Sequence, residues 1–398
     1  MIVKPRVRGF ICTTAHPTGC TAHVAAQFDV VGANGDLDTS VKKALVIGCS
    51  GGYGLASRIV LTEACSADTI GVSFEKPPSD AKTATAGWYN NVAFDELAAA
   101  RGRFAKTLDG DAFSDEMKVR VIEEIREHFG QIDMLIYSLA SPVRQHPRTG
   151  TLHRSVLKPL GEMLDMKSIN VDTGEVNQVT LEPGTDEEVA NTVAVMGGED
   201  WEFWVDALRD VGALADGFRT LAFTYIGSDL TWPIYWDGTL GKAKEDLDRA
   251  ASALRDRLQG IGGSARIVSL KSVVTQASVA IPVVPLYVSL LFRVMKQQGS
   301  YETLIEHVYR LFATQLNTGA EQRLDEGGRI RVDDLELKDA VQDEVKRLWP
   351  LVTSENIDEI ADLEGFRNDF LRIFGFGFAC VDYDADVDPT LGKDVETF

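Results

Sequence analysis

An α/β fold built on a doubly wound parallel sheet is predicted by three features of the 398-residue chain. Apolar runs of strand length at 44–47, 69–75, 103–108, 133–142, 220–226 and 265–270 alternate with segments of helical period. The first run passes directly into Gly48, Gly52 and Gly54, and a helical pattern begins at once, so strand, glycine turn and helix follow without a gap. The second run ends at Glu75, 21 positions beyond Gly54. A glycine turn at a helix start offers unpaired N–H donors and a positive dipole end to a pyrophosphate, and an acidic residue at that distance suits ribose hydroxyls. Together the features imply a dinucleotide bound at the C-terminal ends of the strands.

Each element then follows in order. Residues 1–40 carry Cys12, His16, Cys20 and His23, whose spacing suits neither a zinc ribbon nor a zinc finger, so a folded N-terminal extension packed on the cofactor domain is expected and no metal. A helix over 53–67 joins the first two strands, and the turn-rich stretch 76–91 reads as a loop beside the cofactor before a helix over 92–101. After the third strand, Asp109-Gly110-Asp111-Ala112 is either a plain turn or the place where an aspartate accepts from an adenine amine. Ser114, followed by Asp115 and Glu116, caps a helix to 129. The fourth strand ends in Ser138, Ala140 and Ser141, small enough for a ribose to approach the backbone.

Residues 143–218 interrupt the alternation and read as an insertion, with helices at 186–196 and 199–215 and with Trp201, Phe203 and Trp204 as core. At its start Arg144, His146, Arg148, His153, Arg154 and Lys158 form the densest basic run, either a contact for coenzyme A phosphates or an acidic carrier protein, or a solvated loop. The fifth strand ends at Tyr225, and a helix over 241–259 carries Lys242 and Lys244, with Tyr235 nine residues before Lys244. Past the sixth strand and a loop through Thr275 and Gln276, the apolar run 279–292 contains Pro282 and Pro285 and is too short to span a bilayer, so it reads as a buried helix or pocket wall. Helices fill the remainder, and Asp382, Asp384, Asp386 and Asp388 lie in a solvated tail without the glycine and glutamate of an EF-hand.

Composition narrows the function classes. With 40 Lys+Arg against 60 Asp+Glu the net charge is −20, which argues against a nucleic-acid or anionic-membrane surface. The five cysteines are scattered without a CxxC pair and the N-terminus lacks a signal-peptide core, so a reduced, cytoplasmic enzyme is expected. A tyrosine and a lysine after strands that end on the nicotinamide side suit hydride transfer: a cation near a phenol lowers its pKa, and the phenol can stabilise and protonate a developing oxyanion. Glu75 repels the extra phosphate of NADPH, while Lys76 beside it softens that effect, so a preference for NADH without exclusion of NADPH is expected.

The segment GCSGGYG at 48–54 matches the G-x3-G-x-G turn of short-chain dehydrogenases/reductases, but their Tyr-x3-Lys is replaced by Tyr235-x8-Lys244. With the N-terminal MIVKPRVRGFICTTAHPTGC and the blocks SLASP, TVAVMGGEDW, TYIGSDLTWPIYWDG and GFGFACVDYDADV, the whole chain resembles the FabV-type trans-2-enoyl-thioester reductases. The resemblance implies a Rossmann-type sheet with a helical substrate-binding insertion, and NADH-dependent reduction of the C2–C3 double bond of an enoyl-CoA or enoyl-carrier-protein in fatty acid synthesis. It implies Tyr235 as proton donor or enolate stabiliser, Lys244 as the residue that holds the ribose and keeps Tyr235 acidic, and Tyr225 as the binder of the thioester carbonyl. By the same resemblance Gly48, Cys49, Ser50, Gly51, Gly52 and Tyr53 line the cofactor. Phe74 and Glu75, Asp111 and Ala112, Leu139 and Ala140, and Val273, Val274 and Thr275 complete that lining. The expected organisation is an extension (1–40), a catalytic core (41–298) and a helical C-terminal region (299–398) in one compact unit, a monomer. Two other readings stay open: a short-chain-type carbonyl reductase, which the Tyr-x8-Lys spacing and the insertion disfavour, and a dinucleotide sensor without turnover.

Overall fold

The computed structural model describes residues 1–9, 11–79, 82–392 and 397. Its centre is a parallel sheet of β1 (Lys43–Ile47), β2 (Asp68–Ser73), β3 (Ala105–Asp109), β4 (Ile132–Tyr137), β5 (Leu214–Thr224), β6 (Ser264–Ser269) and β7 (Ile330–Arg331). Their spatial order, β7-β6-β5-β4-β1-β2-β3, winds outward in both directions and reverses between β1 and β4. The six strands read from the sequence are all present. The seventh, β7, is two residues long and carries no periodicity from which to read it.

Flanking helices are α1 (Pro17–Asn34), α2 (Gly52–Glu63), α3 (Ala86–Ala100), α4 (Asp115–His128), α5 (Asp186–Met196), α6 (Glu199–Asp210), α7 (Thr239–Leu258), α8 (Val284–Gln297) and α9 (Leu304–Leu311). Alternate side chains of each strand point to opposite faces, so β1 sends Ala44 and Val46 into a core with α1, α2, α3 and α9, and Leu45 and Ile47 into a core with α4, α6 and α7. Trp201 and Trp204 are fully buried as predicted, the first donating to Thr220 Oγ1 at 2.8 Å and the second to the Ala112 carbonyl at 3.1 Å. Truncating such an indole to alanine costs about 3–5 kcal/mol. A third core surrounds α8, whose Leu286, Tyr287, Leu290 and Leu291 are wholly buried against Phe366 and Phe370 of the C-terminal region. The apolar run is therefore a buried helix from Val284 on, preceded by a short turn over 279–283, and no helix among the described residues is long and apolar enough to cross a membrane.

Four boundaries differ from the sequence reading, each for a physical reason. The helix expected from 92 begins at Ala86, because 86–91 pack inward and Asn90 and Asn91 give their amide hydrogens to the Ser50 carbonyl (3.0 Å) and Ser73 Oγ (2.9 Å). The loop beside the cofactor is thus shorter, and residues 80 and 81 within it lie outside those described. Helix α6 stops at Asp210, since Gly212 has φ +71° and Leu214 already belongs to β5. The insertion is not purely helical: Val143–Gln145 pairs with Leu152–Arg154 and Leu164–Asn170 with Glu175–Leu181 before α5 begins. In the second hairpin Asn170 Oδ1 accepts from Asp172 and Thr173 (3.0 and 3.3 Å) and Gly174 takes φ +77°, a polar turn between strands of alternating exposure.

The fourth difference is the C-terminal stretch. Its aspartates Asp382, Asp384, Asp386 and Asp388 are exposed as expected, but the residues between them face inward. Tyr89 Oη donates to the Pro389 carbonyl at 2.6 Å and Trp88 Nε1 to that of Leu391 at 3.1 Å, so the stretch lies along α3. Parts 1–40 and the core are likewise in direct contact, with Val24, Phe28 and Val31 of α1 in the β1 core. His16 caps α1 by accepting from Gly19 N at 3.1 Å, and His23 lies 3.1 Å from Gln27 Nε2.

Candidate active site

The glycine turn leaves β1 at the reversal of strand order, where ligands of open α/β sheets bind. Gly48 has φ +83°, and a Cβ there would stand 2.2 Å from the Ser138 carbonyl oxygen, so the turn and the end of β4 touch backbone to backbone. A Cβ on Gly54 would meet the Gly48 carbonyl at 2.0 Å, which is how α2 lies against the turn. Gly52, at φ +52°, opens the helix, and a Cβ there would be 3.5 Å from Thr275 Cγ2. The turn therefore brings Leu139 and Thr275, far apart in sequence, to one place. Tyr53 completes the junction: its hydroxyl donates to the Lys271 carbonyl, tying the turn to the loop that carries Val273 and Val274.

Glu75 follows the second strand as read. Ser50 Oγ donates to Glu75 Oε1 at 2.6 Å, and the Glu75 amide donates to Asp109 Oδ1 at 2.9 Å. Burial raises the Glu75 carboxyl above its ordinary value, opposed by hydrogen bonds from Ser50 and Thr85. The carboxylate lies over Gly87, whose added Cβ would stand 2.1 Å from Oε1. Phe74 is 75% exposed at the rim. Asp111 accepts from Phe113 N at 3.0 Å through one oxygen, closing its turn, and Ala112 is buried beside it. Cys49 is buried, facing Asn91 Oδ1 at 3.6 Å, and burial pushes its thiol up to about 12, so it packs the turn as a neutral group.

On the other side of the reversal, Tyr235 occupies the turns that lead into α7, and Lys244 lies in the second turn of that helix. Among the described residues neither the Tyr235 hydroxyl nor the Lys244 ammonium hydrogen-bonds a protein group, and both side chains are half-buried. Burial lowers Lys244 to about 8 against the attraction of Asp248. Burial raises the Tyr235 phenol above its ordinary value. Tyr225 meets Tyr235 edge to face, ring centroids 5.0 Å apart at 87°. Its hydroxyl donates to Glu336 Oε1 at 2.9 Å.

The basic run is dispersed. Arg144 is 1% exposed and donates to Glu199 Oε2 at 2.9 Å and to the Ala194 carbonyl at 2.6 Å, so it cannot meet a phosphate. Lys158 pairs with Glu188 at 2.7 Å, His153 meets Asn191 Oδ1 at 2.7 Å, and His146 lies 3.2 Å from Glu199. Arg148 lies over the Phe203 ring at 3.7 Å yet remains exposed, as does Arg154. Three residues of the site escaped the sequence reading: Glu336, Tyr287 and Lys271. Lys271 is 1% exposed, with its amine 5.6 Å from the Phe292 ring and 5.3 Å from the Tyr301 ring and no hydrogen-bond partner among the described residues. A lysine in the loop after β6 and a glutamate in a charged turn read as surface residues, and no local signal marks these as buried.

Residues 82–317 match the family model described as the trans-2-enoyl-CoA reductase catalytic region. The chain belongs to the trans-2-enoyl-CoA reductase family. Residues 2–80 match the NAD(P)H-binding domain of trans-2-enoyl-CoA reductase, and 324–387 match an enoyl reductase FAD-binding domain. An enoyl-[acyl-carrier-protein] reductase [NADH] of Edwardsiella ictaluri is 54% identical over 397 residues, covering 100% of both chains. Its counterpart in Opitutus terrae is 52% identical over 389 residues, 98% of this chain and 99% of that one. The crystal structure of Treponema denticola trans-2-enoyl-CoA reductase in complex with NAD superposes with a TM-score of 0.93 at 46% identity, covering 97% of this chain and 98% of that chain. That of Clostridium acetobutulicum trans-2-enoyl-CoA reductase in complex with NADH gives 0.96 at 39% identity over 100% of both chains.

In this reductase the segment 324–387 does not fit a flavin. Its strand, β7, is a two-residue edge that leads to the buried carboxylate of Glu336, where a dinucleotide's phosphates would need a glycine turn and a helix N-terminus. The glycine turn, the Glu75 carboxylate and the close backbone approach at Gly48 do fit a nicotinamide dinucleotide.

Proposed function

We propose that this reductase uses NADH to reduce the C2–C3 double bond of trans-2-enoyl thioesters to the saturated acyl thioester in fatty acid synthesis. The observation that supports the reading is a glycine turn of phosphate-binding form at the reversal of strand order, with Tyr235 and Lys244 following β5 on the other side of that reversal and their polar ends unpaired among the described residues. NADH supplies the hydride, which goes to C3 of the substrate. The protein holds that cofactor by backbone N–H groups of the turn and by Glu75 at the adenosine ribose. As C3 accepts the hydride, negative charge gathers on the thioester oxygen as an enolate, which the Tyr235 hydroxyl stabilises by hydrogen bonding; the thioester C=O then re-forms as the electron pair takes up the proton at C2, supplied through Tyr235. A phenol raised by burial stays protonated at neutral pH, as a donor must. Lys244 binds the nicotinamide ribose, and Tyr225 lines the thioester end of the groove against Tyr235.

The test is NADH oxidation on adding crotonyl-CoA. Tyr235→Phe should lower kcat by about 10²- to 10⁴-fold with NADH affinity retained. Absence of turnover by the unaltered chain with short and long enoyl-CoAs and with enoyl-carrier-protein would overturn the reading. For the acyl carrier, exposed Arg148 and Arg154 are the remaining candidates. Replacing both with alanine should raise KM for coenzyme A or carrier-protein thioesters several-fold, about 1 kcal/mol for exposed charges, and leave pantetheine thioesters unchanged. Equal effects on both substrate types would remove these arginines from the account.

A further inference from the structure

Glu336 comes from the C-terminal region, 111 residues beyond Tyr225, and is wholly buried. Its Oε1 accepts from two phenols, Tyr225 at 2.9 Å and Tyr287 at 2.8 Å, and its Oε2 accepts from the Ser272 amide at 2.5 Å. Gln342 secures the arrangement by donating to the Glu336 carbonyl at 2.7 Å and to Tyr287 Oη at 3.1 Å. A phenol has one hydrogen to give. While Glu336 takes that of Tyr225, Tyr225 can offer only lone pairs toward the groove. The neighbouring phenol, Tyr235, has made no such commitment. The same carboxylate also anchors Ser272, the residue before Val273, Val274 and Thr275, so one buried group sets both a tyrosine of the thioester end and the loop that meets the glycine turn.

We propose that Glu336 is the positioning residue of this site: it fixes Tyr225 with its hydroxyl hydrogen turned inward, leaving Tyr235 as the phenol that donates to the thioester oxygen. The inference rests on the enoyl-reductase reading above and assigns separate tasks to its two tyrosines. It also gives 324–387 a part in this reaction without a flavin: the segment delivers a carboxylate to the underside of the groove. An isolated buried carboxylate would be costly to retain, and three donors converging on it offset that cost only in this arrangement.

A double-mutant cycle on kcat with crotonyl-CoA and NADH tests the assignment. Glu336→Gln keeps the shape, and its carbonyl oxygen still accepts from the Ser272 amide while its N–H₂ faces the two phenols, so the loop is held and kcat should fall by about 10- to 100-fold with KM for NADH nearly unchanged. Tyr225→Phe should lose a similar amount and less than Tyr235→Phe. Because Glu336 acts through Tyr225, Glu336→Gln in a Tyr225→Phe background should cost less than a further twofold. Losses that multiply would overturn the proposal, since a purely structural role would act in either background. Should Glu336→Gln fail to fold, Tyr287→Phe removes one donor from the same oxygen, and its smaller loss should likewise vanish in the Tyr225→Phe background; multiplication there overturns the proposal equally. If Tyr225→Phe alone is silent while Tyr235→Phe is inactive, this inference falls and the reaction stands. Only an inactive unaltered chain would indict the reaction itself.

Discussion

Glu75 and Tyr235 follow strands on opposite sides of the reversal of strand order, and the first is held where the second is left free. At the Glu75 side each polar group already has a partner: Ser50 on the carboxylate, Asp109 on the Glu75 amide, Ser73 on Asp109 at 2.9 Å. A pre-ordered carboxylate binds without paying again for its own alignment. At the Tyr235 side the phenol hydroxyl and the Lys244 ammonium are unpaired among the described residues, while Tyr225 beside them is fixed by Glu336 and Tyr53 by its bond to the Lys271 carbonyl. On the proposed reaction the difference separates recognition from chemistry: groups that select a cofactor are satisfied by the protein beforehand, and groups that stabilise charge arising only in the transition state are kept available for it.

The comparison breaks most readily at the hinge shared by both sides, Gly48. Replacing it with alanine forces a side chain into φ +83° and sets a Cβ 2.2 Å from the Ser138 backbone oxygen, which cannot yield as a flexible side chain could. Gly48→Ala should therefore weaken NADH binding by more than about 100-fold or prevent folding, the combined scale of backbone strain and overpacking. Isothermal titration with NADH, alongside thermal unfolding, checks this. Binding within threefold of the unaltered chain would show that the turn is not the cofactor's seat.

The two sides also differ in how far the sequence reveals them. The glycine turn, the six strands and Glu75 follow from local rules, because strand period, glycine placement and spacing act over a few residues. Tyr235 and Lys244 emerge only from the long resemblance, since a half-buried tyrosine nine residues from a lysine has no signature of its own. Glu336, Lys271 and Tyr287 are invisible for a stronger reason. Their roles come from contacts such as Tyr287 with Glu336, 49 residues apart, and Tyr53 with the Lys271 carbonyl, 218 apart, which no local pattern encodes. Arg144 errs in the other direction: a basic run suggests a solvated or phosphate-binding face, and only the fold shows its guanidinium buried against Glu199.

A smaller perturbation sharpens the recognition side. Gly87→Ala would place a Cβ 2.1 Å from Glu75 Oε1 and 2.7 Å from Ser50 Cβ, so the carboxylate must leave its bond to Ser50. The ratio of kcat/KM for NADH over NADPH should fall by about tenfold, the scale of one hydrogen bond to a charged group, with kcat at saturating NADH unchanged. Glu75→Gln should move the ratio in the same direction. An unchanged ratio in both variants would take cofactor choice away from Glu75.

The mildest test addresses the free side and concerns pH. Burial lowers Lys244 to about 8, so its ammonium is present below that value and disappears as pH rises through it. Tyr235 is displaced upward by burial and keeps its proton over the same range, which leaves Lys244 as the group that titrates first. The profile of kcat/KM for NADH reports groups of the free enzyme and should decline above about pH 8. Lys244→Arg supplies a cation that does not titrate there, although its planar fork fits a site made for an ammonium less well. That variant should start several-fold lower at pH 7 and stay level to pH 9. An alkaline limb that survives the substitution would belong to another group, and the ribose contact would then owe nothing to the charge of Lys244.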